Sequence, residues 1–284
     1  MNKIDTHLHL LYPDNFDYSW TADFVDLQGA FPWEAYCRAS ADCQIEQTLF
    51  MEVDVDAGQH VQEANFFTQM SEEASNSIGG VIAKCIPESS DFKRELDSIR
   101  SPALKGIRRV LHTQPDSLSE SSLFRENVSL LANENLSFDL CVTQKQLGVA
   151  LELVRSCPNV QFILDHCGVP SIAEHKQAAG ESWKQWKFGI QALAGQANVA
   201  CKFSGITAYA SPGQRNAERL RPYLSEILIA FGCDRIVWGG DWPVCNLADG
   251  FRNWSAITDI LLGELSLNEQ RAICVENAQR IYKL

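Results

Sequence analysis

Two histidines stand two residues apart in Asp5-Thr6-His7-Leu8-His9. Side chains at i and i+2 of a β-strand share a face, so on a strand His7 and His9 point the same way. Two imidazoles on one face can chelate a divalent metal or bracket a substrate oxygen. A second cluster, Phe162-Ile163-Leu164-Asp165-His166-Cys167-Gly168, ends an apolar run in polar residues. Burying such groups is costly unless they find partners, and His166 is expected to reach the same place as the His pair. A third, Arg235-Ile236-Val237-Trp238-Gly239-Gly240-Asp241-Trp242-Pro243, delivers a carboxylate. Asp241 is the candidate general base. The two glycines permit close backbone approach, and Pro243 is expected to hold Trp242 extended.

Other groups fall at the ends of apolar runs. Glu52 and Asp54 close the second, Arg108, Arg109 and His112 the fourth, and Lys202 lies near the end of the seventh. Neighbours on a strand face opposite ways, so only one of Arg108 and Arg109 faces inward. That arginine and Lys202 are expected to bind an anionic or hydroxyl-rich substrate, with snorkelling into solvent as the bland alternative. Trp20, Trp33 and Tyr36 fall in a long first loop, where aromatics either cover a ligand or pack beneath the loop. His60 and His175 read as surface residues.

These groups need elements to hold them. Eight apolar runs, at 4–10, 48–53, 78–86, 104–111, 137–142, 161–165, 198–203 and 235–239, have strand length and composition. Runs of this kind suit strands buried on both faces of a parallel sheet. Amphipathic stretches at 31–41, 58–75, 121–133, 144–156, 183–195, 218–231 and 266–282 lie between or after them, the last opened by a Ser266–Glu269 capping box. The alternation predicts an α/β protein with parallel crossovers, a (β/α)8 TIM barrel spanning residues 1–284 as one domain. The rival, an open doubly wound sheet, calls for a Gly-rich first turn, and the first run ends instead in His-Leu-His. In a closed barrel strand eight neighbours strand one, which sets Asp241 beside the His pair.

Composition narrows the function classes. With 45% hydrophobic and 21% charged residues the chain has an ordinary globular balance. A net charge of −12 argues against a nucleic-acid partner, which needs a basic patch. There is no apolar stretch of membrane-spanning length and no signal-peptide pattern at the start, so no membrane partner and a cytoplasmic location are expected. The ten cysteines are scattered without a C-x-x-C pair and read as reduced, buried thiols. Homo-oligomerisation is left open.

The three clusters, in this order, resemble the amidohydrolase superfamily, and more narrowly its amidohydrolase-2 branch of sugar-acid lactonases. Asp5-x-His7-x-His9, Asp165-His166-Cys167-Gly168 and Gly240-Asp241-Trp242-Pro243 carry the resemblance, supported by Lys105-Gly106-Ile107-Arg108 and Lys202-x-Ser204-Gly205. It implies a hydrolase opening a small lactone, such as L-fucono- or L-rhamnonolactone, with His7, His9 and His166 lining the reaction centre and Asp241 activating water. The superfamily's binuclear members carry a lysine or glutamate on strand four and a histidine on strand five. Here those places read Arg108-Arg109-Val110-Leu111 and Phe138-Asp139-Leu140-Cys141, so at most one divalent ion is expected. That ion would be zinc or another divalent metal, on His7, His9, Asp241 and either His166 or Glu52; a metal-independent mechanism is the other option. Rival readings are a zinc-dependent decarboxylase or amide hydrolase of the same superfamily, and a barrel that binds sugar without turnover.

Overall fold

The computed structural model describes residues 1–73, 75–175 and 178–284. Eight strands form one parallel sheet in chain order: β1 (Lys3–Leu8), β2 (Ile45–Met51), β3 (Ile78–Lys84), β4 (Leu104–Val110), β5 (Ser137–Cys141), β6 (Gln161–Leu164), β7 (Val199–Phe203) and β8 (Ile236–Trp238). Helices follow the strands: α1 (Trp33–Ser40), α2 (His60–Ser71), α3 (Phe92–Ser98), α4 (Ser117–Glu120), α5 (Ser122–Ser129), α6 (Leu131–Glu134), α7 (Leu147–Ser156), α8 (Glu181–Ala194), α9 (Ala217–Phe231) and α10 (Gly250–Leu262). α11 (Leu267–Arg271), a π-helical turn and α12 (Asn277–Tyr282) end the chain. The circle closes beyond the end of β8, where Asp241 N donates to His7 O and His9 N to Trp242 O, each at 2.8 Å. This is the expected (β/α)8 barrel.

The hydrophobic residues divide between two sides of the sheet. Ile4, Leu49, Met51, Ile82, Ile163, Ala200 and Val237 fill the barrel interior, and Ile281 and Tyr282 of α12 join them. The larger cluster lies between strands and helices, with Phe50 stacked on Phe67 and Trp186 wholly buried. Within strands the two sets alternate, as a period of two demands. β1 departs from this. Asp5 pairs with Thr48 but Leu8 with Phe50, so β1 carries one residue more than β2 over this stretch. The bulge shifts the parity. Ile4 therefore points into the barrel floor while His7 and His9, at odd separation from it, face the interior at the C-terminal end.

Several expectations are corrected. The stretch 266–282 is not one helix, because a π turn at Ala272–Glu276 separates α11 from α12; its Ser266–Glu269 capping box is present. The stretch 58–75 is helical over His60–Ser71, with Ala74 lying outside the described residues. α3 and α10 were not anticipated. Trp242 is extended as expected, bridging in parallel to Leu8, and the peptide bond that follows it to Pro243 is cis. His60 and His175 are buried, not on the surface. His60 lies 3.3 Å from Glu95 of α3, and His175 is bonded at one ring nitrogen to Tyr223 Oη and at the other to Ser182 Oγ. All ten cysteines are free thiols, and all but Cys37 and Cys233 are buried. No helix among the described residues is long and apolar enough to cross a membrane.

Candidate active site

The site forms where β1, β6 and β8 deliver polar side chains to one end of the barrel. Asp5 ties the first of these strands to the last. Its carboxylate accepts from His7 N at 3.0 Å, Gly240 N at 2.7 Å and Tyr36 Oη at 2.8 Å. Burial pushes Asp5 up to about 6 against these donors. Gly239 faces inward between His7 and Ser204, and a Cβ there would come within 2.8 Å of His7 Cβ. The rim backbone is also unusual: His166, Cys167 and Asp241 take left-handed conformations with φ of 50°, 53° and 58°. Non-glycine residues held in this region often mark functional sites.

Four predicted residues converge. His7 Nε2 lies 3.1 Å from His9 Nε2, and these atoms are 3.6 and 3.7 Å from Asp241 Oδ1. His166 Nδ1 is 3.9 Å from Asp241 Oδ2. His9 Nδ1 faces the carbonyl of Met51 at 2.9 Å, and His166 Nδ1 that of Ser204 at 3.3 Å. A carbonyl only accepts, so His9 carries its proton on Nδ1 and keeps an Nε2 lone pair, whereas His166 Nδ1 also lies 3.0 Å from Ser204 Oγ, a hydroxyl that can donate or accept. Burial holds His7 and His9 well below the usual histidine range and pushes His166 down to about 4. All three are therefore neutral, the state in which imidazole binds a metal. Burial pushes Asp241 the other way, well above the usual carboxylate range, with Arg108 opposing. Among the described residues Asp241 Oδ2 has no hydrogen-bond partner, and His7 Nδ1 has none closer than the Asp165 carboxylate, 3.5 Å away. His7, His166 and Asp241 form a group able to hold a metal ion, their ligand atoms all within 4.8 Å of one another.

The remaining predicted residues separate. Arg108 faces inward, donating to Glu52 Oε1 from Nε and to Glu52 O from Nη2 at 2.7 Å, with Nη1 3.4 Å from His7 Nε2. Arg109 faces the other way and pairs with Glu88 at 2.6 Å. Glu52 Oε2 accepts from Asp54 N at 2.7 Å, so its carboxylate is occupied by Arg108 and backbone rather than turned to the His pair. Lys202 is not on the rim: it is fully buried, 2.6 Å from Asp139 Oδ1 and 2.9 Å from Asp165 Oδ1. Trp20 donates to Val53 O at 2.8 Å, just beyond the end of β2. Trp33 is half-buried and lines a hollow of about 430 Å³ with Tyr36, Gln44, Ile45 and Ser77, near the starts of β2 and β3 rather than over the site. His112 Nδ1 lies 3.2 Å from Cys141 Sγ at the ends of β4 and β5.

Sequence reasoning assigned no role to Asp5, Asp139, Asp165 or Tyr209. Asp139 had a signal, a charge in the middle of an apolar strand, which burial makes costly without a partner. Asp165 had a weaker one at a strand end. Tyr209, its ring 6.3 Å from that of His166, comes from the loop after β7 and had none.

A parallel barrel with neutral imidazoles and a buried carboxylate gathered at the strand ends defines a hydrolase-type centre able to hold a metal. An amidohydrolase family profile matches residues 4–284, and the chain belongs to that family; it is an enzyme of the amidohydrolase superfamily. Over 181 residues, 63% of the chain, it is 30% identical to an L-fucono-1,5-lactonase of Burkholderia ambifaria, and the match spans 60% of that relative's length. It is 24% identical over 289 residues to an L-fucono-1,5-lactonase of Burkholderia multivorans, covering 99% of this chain and 96% of the other. A crystal structure of an amidohydrolase from Burkholderia multivorans with bound Zn matches with a TM-score of 0.89 at 23% identity over the whole of both chains, a likeness of fold.

Proposed function

We propose that the chain opens the ring of a small sugar-acid lactone, of the L-fucono- or L-rhamnonolactone kind, by Asp241-activated water. The observation that carries this reading is the meeting of Asp241 with His7 and His9 at 3.6 and 3.7 Å beside the inward guanidinium of Arg108. The relatives named L-fucono-1,5-lactonase support the choice of substrate class.

The donor set fits one divalent ion, with zinc first among candidates. Three neutral imidazoles and an unpartnered carboxylate oxygen converge, and His9 turns an Nε2 lone pair toward His7 Nε2 at 3.1 Å. His7, His9, His166 and Asp241 would hold it. When bound, it would acidify a water and polarise the lactone carbonyl. Nothing in this set serves a second ion, because Arg108 stands where a bridging ligand would be needed and its own charge opposes another cation.

Asp241 takes the proton of the attacking water, and burial, which raises its affinity for protons above that of an ordinary carboxylate, favours that uptake. The same carboxyl then returns the proton to the departing ring oxygen. A lactone leaves as an alkoxide that is protonated in place, so the chain needs one proton carrier and no second acid. Arg108, held by Glu52, meets charge developing on the carbonyl oxygen or binds the sugar hydroxyls. A pH-indicator assay over a panel of sugar lactones, with zinc and with chelator, tests the reading. Turnover of a sugar-acid lactone is expected; failure to open any lactone when zinc is supplied would refute it.

A further inference from the structure

The proposed chemistry does not use Lys202, which is fully buried. Lys202 Nζ lies between Asp139 Oδ1 at 2.6 Å and Asp165 Oδ1 at 2.9 Å. From the far end of the barrel, Tyr282 of α12 donates its hydroxyl to the same Asp139 oxygen at 2.9 Å. A polar column thus runs up the barrel interior from the C-terminal helix to Asp165, whose Oδ1 faces His7 Nδ1 at 3.5 Å.

What the column does follows from the His7 ring. His9 keeps an Nε2 lone pair because its Nδ1 donates to Met51 O, and His7 Nε2 lies 3.1 Å from it. A neutral His7 has two arrangements. With its proton on Nε2 it donates to His9, but its Nδ1 lone pair then confronts the Asp165 carboxylate, acceptor against acceptor. With its proton on Nδ1 it faces Asp165 as a donor and turns its own lone pair toward that of His9. Arg108 Nη1, 3.4 Å from His7 Nε2, favours the second arrangement as a donor. The deciding partner is Asp165, which must be ionised and held against the Nδ1 edge. Lys202 does both, and Asp139, tied to Tyr282, fixes where Nζ sits.

The geometry points to Lys202 as a positioning residue that, through Asp165, places the His7 proton on Nδ1 and keeps Nε2 as a ligand lone pair. Partners one step removed from a metal ligand set its tautomer and orientation in this way. The metal-site reading above supplies the consequence, while the tautomer itself is measured without metal.

The test uses protein labelled with 15N in its histidine rings, prepared metal-free, with His7 assigned by the resonance lost in His7→Gln. Long-range 1H–15N spectra of the wild-type chain are expected to show Nδ1–H at His7; Nε2–H there would overturn the proposal without any variant. Lys202→Met alone leaves two carboxylates facing each other, so Lys202→Met/Asp139→Asn is prepared beside it. In whichever of these folds, His7 is expected to move toward Nε2–H and zinc affinity, read by competition with a chromophoric chelator, to fall about 10–100-fold. An unchanged tautomer overturns the proposal even if affinity falls, since Lys202 is then structural support. A wild-type chain with Nδ1–H that binds no zinc would sink the metal reading and leave this one standing.

Discussion

Replacing Asp241 by asparagine removes a charge and leaves the shape. Asparagine tolerates the left-handed conformation at this position, where φ is 58°. The backbone bonds survive, since 241 N still donates to His7 O and 241 O still accepts from Cys245 N, both at 2.8 Å. Among the described residues Oδ2 has no hydrogen-bond partner to lose. The substitution also removes a desolvated carboxylate, so the metal-free variant is expected to stay within about 1 kcal/mol of the parent, roughly 2–4 °C in Tm, with any change tending upward. Activity moves far more. An amide cannot take the water proton, and loss of a general base costs about 10²–10⁴-fold in kcat, or about 2.7–5.4 kcal/mol of barrier. Thermal unfolding of the metal-free protein and steady-state hydrolysis of the best lactone are the two measurements. A folded Asp241→Asn enzyme with kcat within a few-fold of the parent would refute the assignment of Asp241.

Elemental analysis of protein purified without added metal should find no more than one divalent ion per chain, because the described residues form one such ligand cluster and Arg108 stands beside it; two tightly held ions would show the ligand reading to be wrong. Gly239→Ala drives a methyl to 2.8 Å from His7 Cβ and 3.1 Å from Ser204 Cβ, and should lower stability by about 1–3 kcal/mol by overpacking; an unchanged denaturation midpoint would contradict it. Arg108→Met strands the buried Glu52 carboxylate and should cost about 3–5 kcal/mol, whereas Arg108→Met/Glu52→Gln should recover most of it in urea titrations; equal losses in both would deny the pairing.

The barrel was legible because buried parallel strands write themselves as short apolar runs, and eight of them alternate with amphipathic stretches. His7, His9, His166 and Asp241 were legible for the same reason: each is a polar group at the end of such a run, where chain order alone brings the eighth strand back to the first. The expected inward and outward pair at Arg108 and Arg109 followed from a period of two, but nothing local said which was which. Packing decided that, Arg108 finding Glu52 inside and Arg109 finding Glu88 outside. The bulge in β1 is a matter of pairing with β2, so the parity that turns His7 inward is absent from the local pattern. Lys202 was misplaced on the rim because a strand-end lysine ordinarily reaches water. Its place in the interior depends on Asp139, 63 residues away, and on Tyr282, which bonds that same acid from 143 residues further along the chain. Charges so far apart in sequence offset one another's burial only after the chain has closed into a barrel, and no window of sequence contains both members of the pair.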